Sequence, residues 1–293
     1  MTAAGLYMLM GWLETKGTFL DSRFTAWRIL FIIGTVPALV ALFVRRRLQE
    51  PEAWRNAVLV PGRSAGSYAE LLGESPWRGR AFAGLALAFA GVVGLWGIGF
   101  FSVDLQQYAM SNYLNEQTAG RAAHEKAGIM KVWAGITSLF INLGAFAGMF
   151  AFSWATNYTG RKLAFAVSFV LAAVSTAVVF LYLRELSDIF WMIPLMGFCQ
   201  LTLFGGYAIY FPELFPTRLR STGTSFCYNV GRFVAASGPA ALGLLTSQVY
   251  AGYKDQDPTL PFRYAGLTMC SVFGVGLVAL FFLPETKGKP LPE

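Results

Sequence analysis

The chain has 293 residues, 55% of them hydrophobic and only 13% charged, with a mean hydropathy of +0.51 and a formal net charge of +7. Water-soluble domains are about half apolar and a quarter charged, so this composition excludes an ordinary soluble domain. Charge is gathered into short stretches, and the apolar runs between them are long enough to cross about 30 Å of hydrocarbon.

The first segment, Met1 to Leu13, is apolar but covers only about 20 Å as a helix before the polar run Glu14, Lys16, Asp21, Arg23. It reads as a partial span. A signal peptide is disfavoured, because no basic n-region is present and Gly5, Gly11 and Glu14 form no small-residue cleavage site. Seven full spans follow near 26–46, 79–103, 131–154, 162–183, 189–213, 222–247 and 264–283. Helices are expected, since lipid leaves a free backbone group no water to bond, and the runs lack the alternation of a membrane barrel. The fold class is therefore all-α, a polytopic membrane bundle.

Two connections are long. Residues 48–78 are polar and punctuated by Pro51, Pro61, Gly62, Gly66 and Pro76, which reads as a linker between two bundles. Residues 104–130 continue the preceding helix and then form a loop carrying the single histidine, His124, expected to be solvated beside Glu125 and Lys126. Cys199, Cys227 and Cys270 lie in spans without ligand spacing and read as small apolar fillers. No metal or cofactor is expected, and no phosphate loop, HExxH or Ser/His pair suggests an enzyme. Gly144 and Gly148 form a GxxxG that lets membrane helices approach closely.

Alternate loops share a side of the membrane. One set holds thirteen Lys and Arg, including Arg45 to Arg47, Arg78, Arg80, Arg161, Lys162, Arg218, Arg220, Lys287 and Lys289. The other holds nine, including Lys16, Arg121, Lys131, Arg184, Lys254 and Arg263. The first set also crowds the helix ends, so it and the C-terminus are expected in the cytoplasm of a multi-pass protein of the cell (inner or plasma) membrane. The positive charge then reflects topology and anionic lipid, with no nucleic-acid partner required.

Charge at membrane depth has no such explanation. Arg232 sits about ten residues into its span, roughly 15 Å deep, where an arginine costs at least ~2.5–3.5 kcal/mol unless it faces a cavity, the bundle interior or an acid. Asp104 and Glu213 lie at opposite ends of their spans. Glycines gather beside polar or aromatic residues at Gly94, Gly97 and Gly99 around Trp96, and at Gly205 and Gly206 ahead of Tyr207 and Tyr210.

The run from Pro212 and Glu213 through Arg218, Leu219, Arg220, Ser221, Thr222 and Gly223 resembles the connection after the tenth helix of major facilitator superfamily carriers of the sugar-porter and metabolite:proton symporter type. Pro284, Glu285, Thr286, Lys287 and Gly288 resemble the signature after their twelfth helix. Arg45 to Arg47 with Glu50, Pro51 and Glu52 resemble its counterpart after the sixth. Asn157 to Lys162 resembles the loop between helices eight and nine, with Asn157 and Tyr158 standing where the family carries Asp and Arg. The resemblance implies a major facilitator bundle lacking the first four helices: 1–47 the end of the N-terminal bundle, 48–78 a cytoplasmic linker, 79–293 a C-terminal six-helix bundle. It further implies secondary active transport of a small organic solute, a sugar or organic acid, coupled to H+ by alternating access. The partners are the solute, the proton, the lipid bilayer and the missing N-terminal half. A non-transporting scaffold or sensor, or an inactive fragment, is the alternative. On this reading Arg232 anchors a solute, with Asn229, Tyr207, Tyr210, Trp96 and Asn142 as lining groups and Asp104 as the titrating group. Glu213, Arg218, Arg161 and Glu285 form a cytoplasmic gate in which Glu213 is expected to pair with Arg218.

Overall fold

Backbone groups that meet no water must bond within their own segment, and throughout the described residues this chain does so as helices. The computed structural model describes residues 2–18, 25–47 and 66–292, with Glu52 and Arg55 between them. In chain order the helices are α1 (Thr2–Thr15), α2 (Ala26–Arg47), α3 (Tyr68–Gly73), α4 (Trp77–Ala109), α5 (Ser111–Thr118), α6 (Ala123–Thr159), α7 (Arg161–Tyr182), α8 (Leu186–Leu214), α9 (217–235), α10 (238–249) and α11 (Leu260–Phe282). Among the described residues, α2, α4, α6, α7, α8 and α11 are each long and apolar enough to cross a membrane. Most of the expected linker, including Pro51, Pro61 and Gly62, lies outside the described residues.

Three expectations need correction. The span at 222–247 is not one helix: the ring of Pro239 would collide with the carbonyl of Ala235, so α9 stops there and α10 restarts at Gly238. Next, α6 begins at Ala123, well before residue 131, so His124 stands in a helical first turn and not in a loop. Finally, Arg263 is no loop charge. It is only 5% exposed, and its guanidinium donates to the carbonyls of Phe180 (2.9 Å), Leu181 (3.3 Å) and Leu183 (2.7 Å), while its Nε donates to Thr259 Oγ1. These are the unsatisfied last carbonyls of α7, so the arginine closes that helix.

Close backbone approach sets the packing. A methyl group at Gly144 would overlap the carbonyl of Pro194, one at Gly148 that of Phe198, and one at Gly197 on α8 that of Ile141, so α6 and α8 meet almost backbone to backbone. The GxxxG expectation is met on this seam. On its other side α6 receives α1 running antiparallel: Gly135 faces Ala4 and Met8, Gly128 faces Gly11 and Thr15, and Glu14 pairs with Lys131. Aromatic rings fill the space left by other glycines, as Phe273 does at Gly94 and Phe169 at Gly276. Near Gly94, α4 widens into π-type turns over Val93–Ile98 and then tightens over Gly99–Phe101. Phe165, Phe169, Tyr207, Phe211, Phe215 and Phe273 lie in one core cluster, and Ile98, Phe180, Ile193 and Met196 in a second.

The seam between α6 and α8 is therefore intolerant of added volume. Gly148→Leu should destabilise the protein by about 1–3 kcal/mol. Gly243→Leu, where the space around the glycine is open, should leave thermal unfolding in detergent unchanged. Equal melting of the two variants would remove the seam as a determinant of stability.

Candidate functional site

A polar stripe runs along one face of α9, partly buried at Arg220, Thr224 and Tyr228 and exposed at Ser221, Asn229 and Arg232. Residues 220, 224, 228 and 232 recur every fourth position, with 221, 225 and 229 beside them, so a helix lines up Arg220, Ser221, Thr224, Ser225, Tyr228, Asn229 and Arg232. The two arginines stand about 18 Å apart at helical rise. Against the lower part of this face α8 presents Phe204, Tyr207, Phe211 and Pro212, bordering an open cavity of about 720 Å³ with no acidic residue among the described residues that line it.

Arg220 is held in place by its Nε, which donates to the Pro212 carbonyl at 3.0 Å, while its Nη2 is buried with no partner among the described residues. Thr224 Oγ1 is buried and unpartnered too. Tyr207 joins the wall, but its hydroxyl is spent on the Leu87 carbonyl at 2.8 Å and its ring stacks on Phe211 at 5.0 Å. Asn229 also lines the cavity and donates to Ser225 Oγ at 2.8 Å. One turn on, the Arg232 guanidinium lies over the Tyr228 ring at 5.5 Å and lines a second, smaller cavity of about 210 Å³ with Trp96, Val92 and Pro239. The stripe thus connects four of the expected residues: Asn229 and Tyr207 at one cavity, Arg232 and Trp96 at the next.

Tyr210 and Asn142 are elsewhere. Tyr210 is fully buried, and its hydroxyl donates to the Pro284 carbonyl at 2.5 Å, tying α8 to the end of α11. Asn142 donates to the Ser138 carbonyl one turn back on α6 and lines none of these cavities. Asp104 lines a third cavity, of about 440 Å³, between α1, α4 and α6, shared with Tyr7, Gln106, Gln107 and Ser138. Gln106 is buried there with its carbonyl oxygen unpartnered. Sequence reasoning missed Arg220 and Thr224, although their four-residue spacing to Arg232 was legible, and missed the consecutive glutamines 106 and 107 beside Asp104.

The expected gate residues assemble with different partners. Arg161 straddles the Glu213 carboxylate through Nε at 3.0 Å and Nη2 at 2.7 Å, and Thr286 Oγ1 donates to the same carboxylate at 2.6 Å. Arg218 does not pair with Glu213. It binds Glu70 on α3 through Nε at 2.8 Å and Nη2 at 2.6 Å, fastening the end of the linker region to α9. Glu285 accepts the backbone N–H groups of Arg161 and Lys162 at 3.0 Å, and of Thr286 and Lys287 at 2.9 Å. The turn into α7 allows this because Gly160 adopts φ 87°, and a methyl group there would stand only 2.8 Å from a Glu285 oxygen. Burial alone would raise the Glu285 pKa, but the four N–H donors outweigh it and hold the carboxyl below its ordinary range.

A carboxyl with a depressed folded pKa stabilises above its unfolded pKa, and that contribution fades as pH falls through the folded value. Melting of the wild-type chain should therefore drop as pH falls below about 4.3. Glu285→Gln should melt lower at pH 7 and lose less on acidification; parallel acid curves would show that the carboxylate is not what holds the turn. In a separate cycle, Arg161→Glu combined with Glu213→Arg should recover part of the stability lost by either change alone, whereas exchanging Glu213 with Arg218 should recover none. The opposite pattern would overturn the pairing.

No protein-family model matches the chain. Among curated proteins it is 26% identical over 268 residues to a putative metabolite transport protein of Haemophilus influenzae, covering 90% of this chain and 60% of that one. It is 25% identical over 267 residues to the cis,cis-muconate transport protein of Acinetobacter baylyi (90% and 58%). It is also 25% identical over 282 residues to a probable 4-methylmuconolactone transporter of Cupriavidus pinatubonensis (96% and 57%). The chain thus spans less than two thirds of the length of these relatives.

Proposed function

We propose, for a chain that belongs to the major facilitator superfamily, that it forms the part of a secondary carrier that holds a small organic acid against α9. The observation carrying this reading is the pair of buried donors without a partner among the described residues, Arg220 Nη2 and Thr224 Oγ1, beside the cavity of about 720 Å³. An unpaired buried donor costs about 1–3 kcal/mol, more when charged, and a carboxylate oxygen is the acceptor that relieves both. The walls of Phe204, Phe211 and Tyr228 suit an apolar carbon skeleton, and the absence of acids spares an anion from repulsion. Relatives named for cis,cis-muconate and 4-methylmuconolactone support an organic acid over a sugar.

Arg232, one cavity further along the same face, is a second station for the anion. A solute passing between the two would be handed along a stripe of hydroxyl and amide groups without leaving the protein. Alternating access by rocking of two bundles accounts for how such a stripe would open to each side in turn. Asp104, facing its own cavity beside Gln106 and Gln107, is the candidate for proton coupling. The end of the bundle that carries Glu213, Glu285 and most helix-end arginines faces the cytoplasm on the positive-inside rule.

Arg232→Lys and Arg220→Lys each keep the charge but lose the forked geometry. Each should weaken binding of muconate to the purified chain about tenfold, the equivalent of one charge-assisted hydrogen bond. Glucose should bind neither form, and uptake of labelled acid by cells expressing the chain together with the rest of its carrier should fall when a protonophore is added. Sugars binding as well as acids, or lysine variants binding like wild type, would overturn the organic-acid reading; protonophore-insensitive uptake would remove the coupling.

A further inference from the structure

We propose that the pocket formed where α4 begins and α11 ends binds the phosphodiester headgroup of an anionic phospholipid. The pocket, about 540 Å³, has Ser75, Arg78 and Arg80 on one wall and Phe282, Leu283 and Pro284 on the other, and among the described residues no acid lines it. Its two arginines are prepared differently. Arg80 is fixed, with Nη1 donating to the Leu214 carbonyl at 2.9 Å and its guanidinium over the Trp77 ring at 5.1 Å, which leaves its other nitrogens for a ligand. Arg78 is exposed and makes no ion pair among the described residues, so its whole guanidinium is available. Glu74, one turn earlier, is the nearest acid in sequence and is not part of the wall.

What selects a lipid over a free phosphate is the rim. Phe281 and Phe282, in the last turn of the membrane-spanning helix α11, are 82% and 73% exposed, so an apolar surface begins where the cationic pocket stops. A ligand matching both must carry an anionic oxygen group tethered to hydrocarbon in one molecule, and a basic pocket between helix ends at the membrane interface suits a phospholipid phosphodiester. Ser75 supplies a hydroxyl donor beside it. This inference rests only on the chain spanning a membrane and is independent of any solute.

The test is lipid retention by the full chain, purified in detergent, delipidated and read by native mass spectrometry after adding phosphatidylglycerol or phosphatidylcholine. Phosphatidylglycerol should be retained preferentially. Arg78→Gln, an exposed change expected to melt like wild type, should reduce that retention about fivefold, the effect of one arginine at the membrane surface. Phe282→Ser should also reduce it. Neutralising Arg45, Arg46 and Arg47 together, the separate basic cluster at the end of α2, should not. Retention unaffected by Arg78→Gln, or abolished instead by loss of the Arg45 to Arg47 cluster, would overturn the site. Displacement of the lipid by millimolar inorganic phosphate, with no effect of Phe282→Ser, would overturn the lipid and leave a free-anion pocket.

Discussion

Every long helix ends in carbonyl groups that no further helical turn can satisfy. This chain meets the problem with cations. Arg161 reaches the Thr156 carbonyl at the end of α6, where Lys287 also donates to Tyr158; Arg263 closes α7; Arg80 and Arg220 reach the Leu214 and Pro212 carbonyls at the end of α8. In each case the cation comes from a different element than the helix it closes, so the cap is also a cross-link. These charge-assisted contacts tie the ends of α6, α7 and α8 to neighbouring elements and gain from the negative end of each helix dipole.

Between the ends, glycine and aromatic residues divide the interior. Where α6 meets α8 and α1, glycine lets the backbones touch; where α4, α7, α8 and α11 surround the aromatic core, rings occupy the space left by Gly91, Gly94, Gly206, Gly266 and Gly276. The two cavities beside α9, by contrast, lie where the helices are irregular or end early. The large cavity lies along the first turns of α9, just after the break at Phe215 and Pro216, and the smaller one beside Arg232 lies at the interruption before Pro239. A proline that stops a helix within a span thus has a consequence for chemistry, because it is where polar side chains and space coincide.

Much of this was legible in the sequence, for reasons that also explain what was not. Six spans follow from length and hydropathy alone, since lipid dictates both. Arg232 stood out by depth, because no loop assignment could absorb it. Arg220 and Arg263 could be absorbed, as charges near helix ends, and so were read as topological signals; nothing local distinguishes a guanidinium in headgroups from one folded back onto carbonyls. Pairing was the least legible. Glu213 lies five residues from Arg218 and 52 from Arg161, yet it binds the distant one, because α7 begins beside the end of α8 while Arg218 turns toward α3. Tyr210 was likewise read as a lining group from its position near a glycine pair, but a four-residue helical face says only which side of α8 a residue occupies and not what waits there.

The same accounting separates structural cations from candidate ligand groups. Arg161 spends its guanidinium on a carboxylate and a carbonyl, Arg218 on a carboxylate, and Arg263 on three carbonyls and a hydroxyl; little remains for a solute to bind. Arg220 spends one nitrogen and keeps a buried one without a partner among the described residues, and the exposed Arg232 lies over an aromatic ring. Since a cation in a low-dielectric interior is costly until it is met by an acceptor, unspent donors beside open volume are the positions at which an anionic ligand gains the most by binding. That difference in how fully each guanidinium is satisfied, rather than its depth or its motif, is what singles out the α9 face within this bundle.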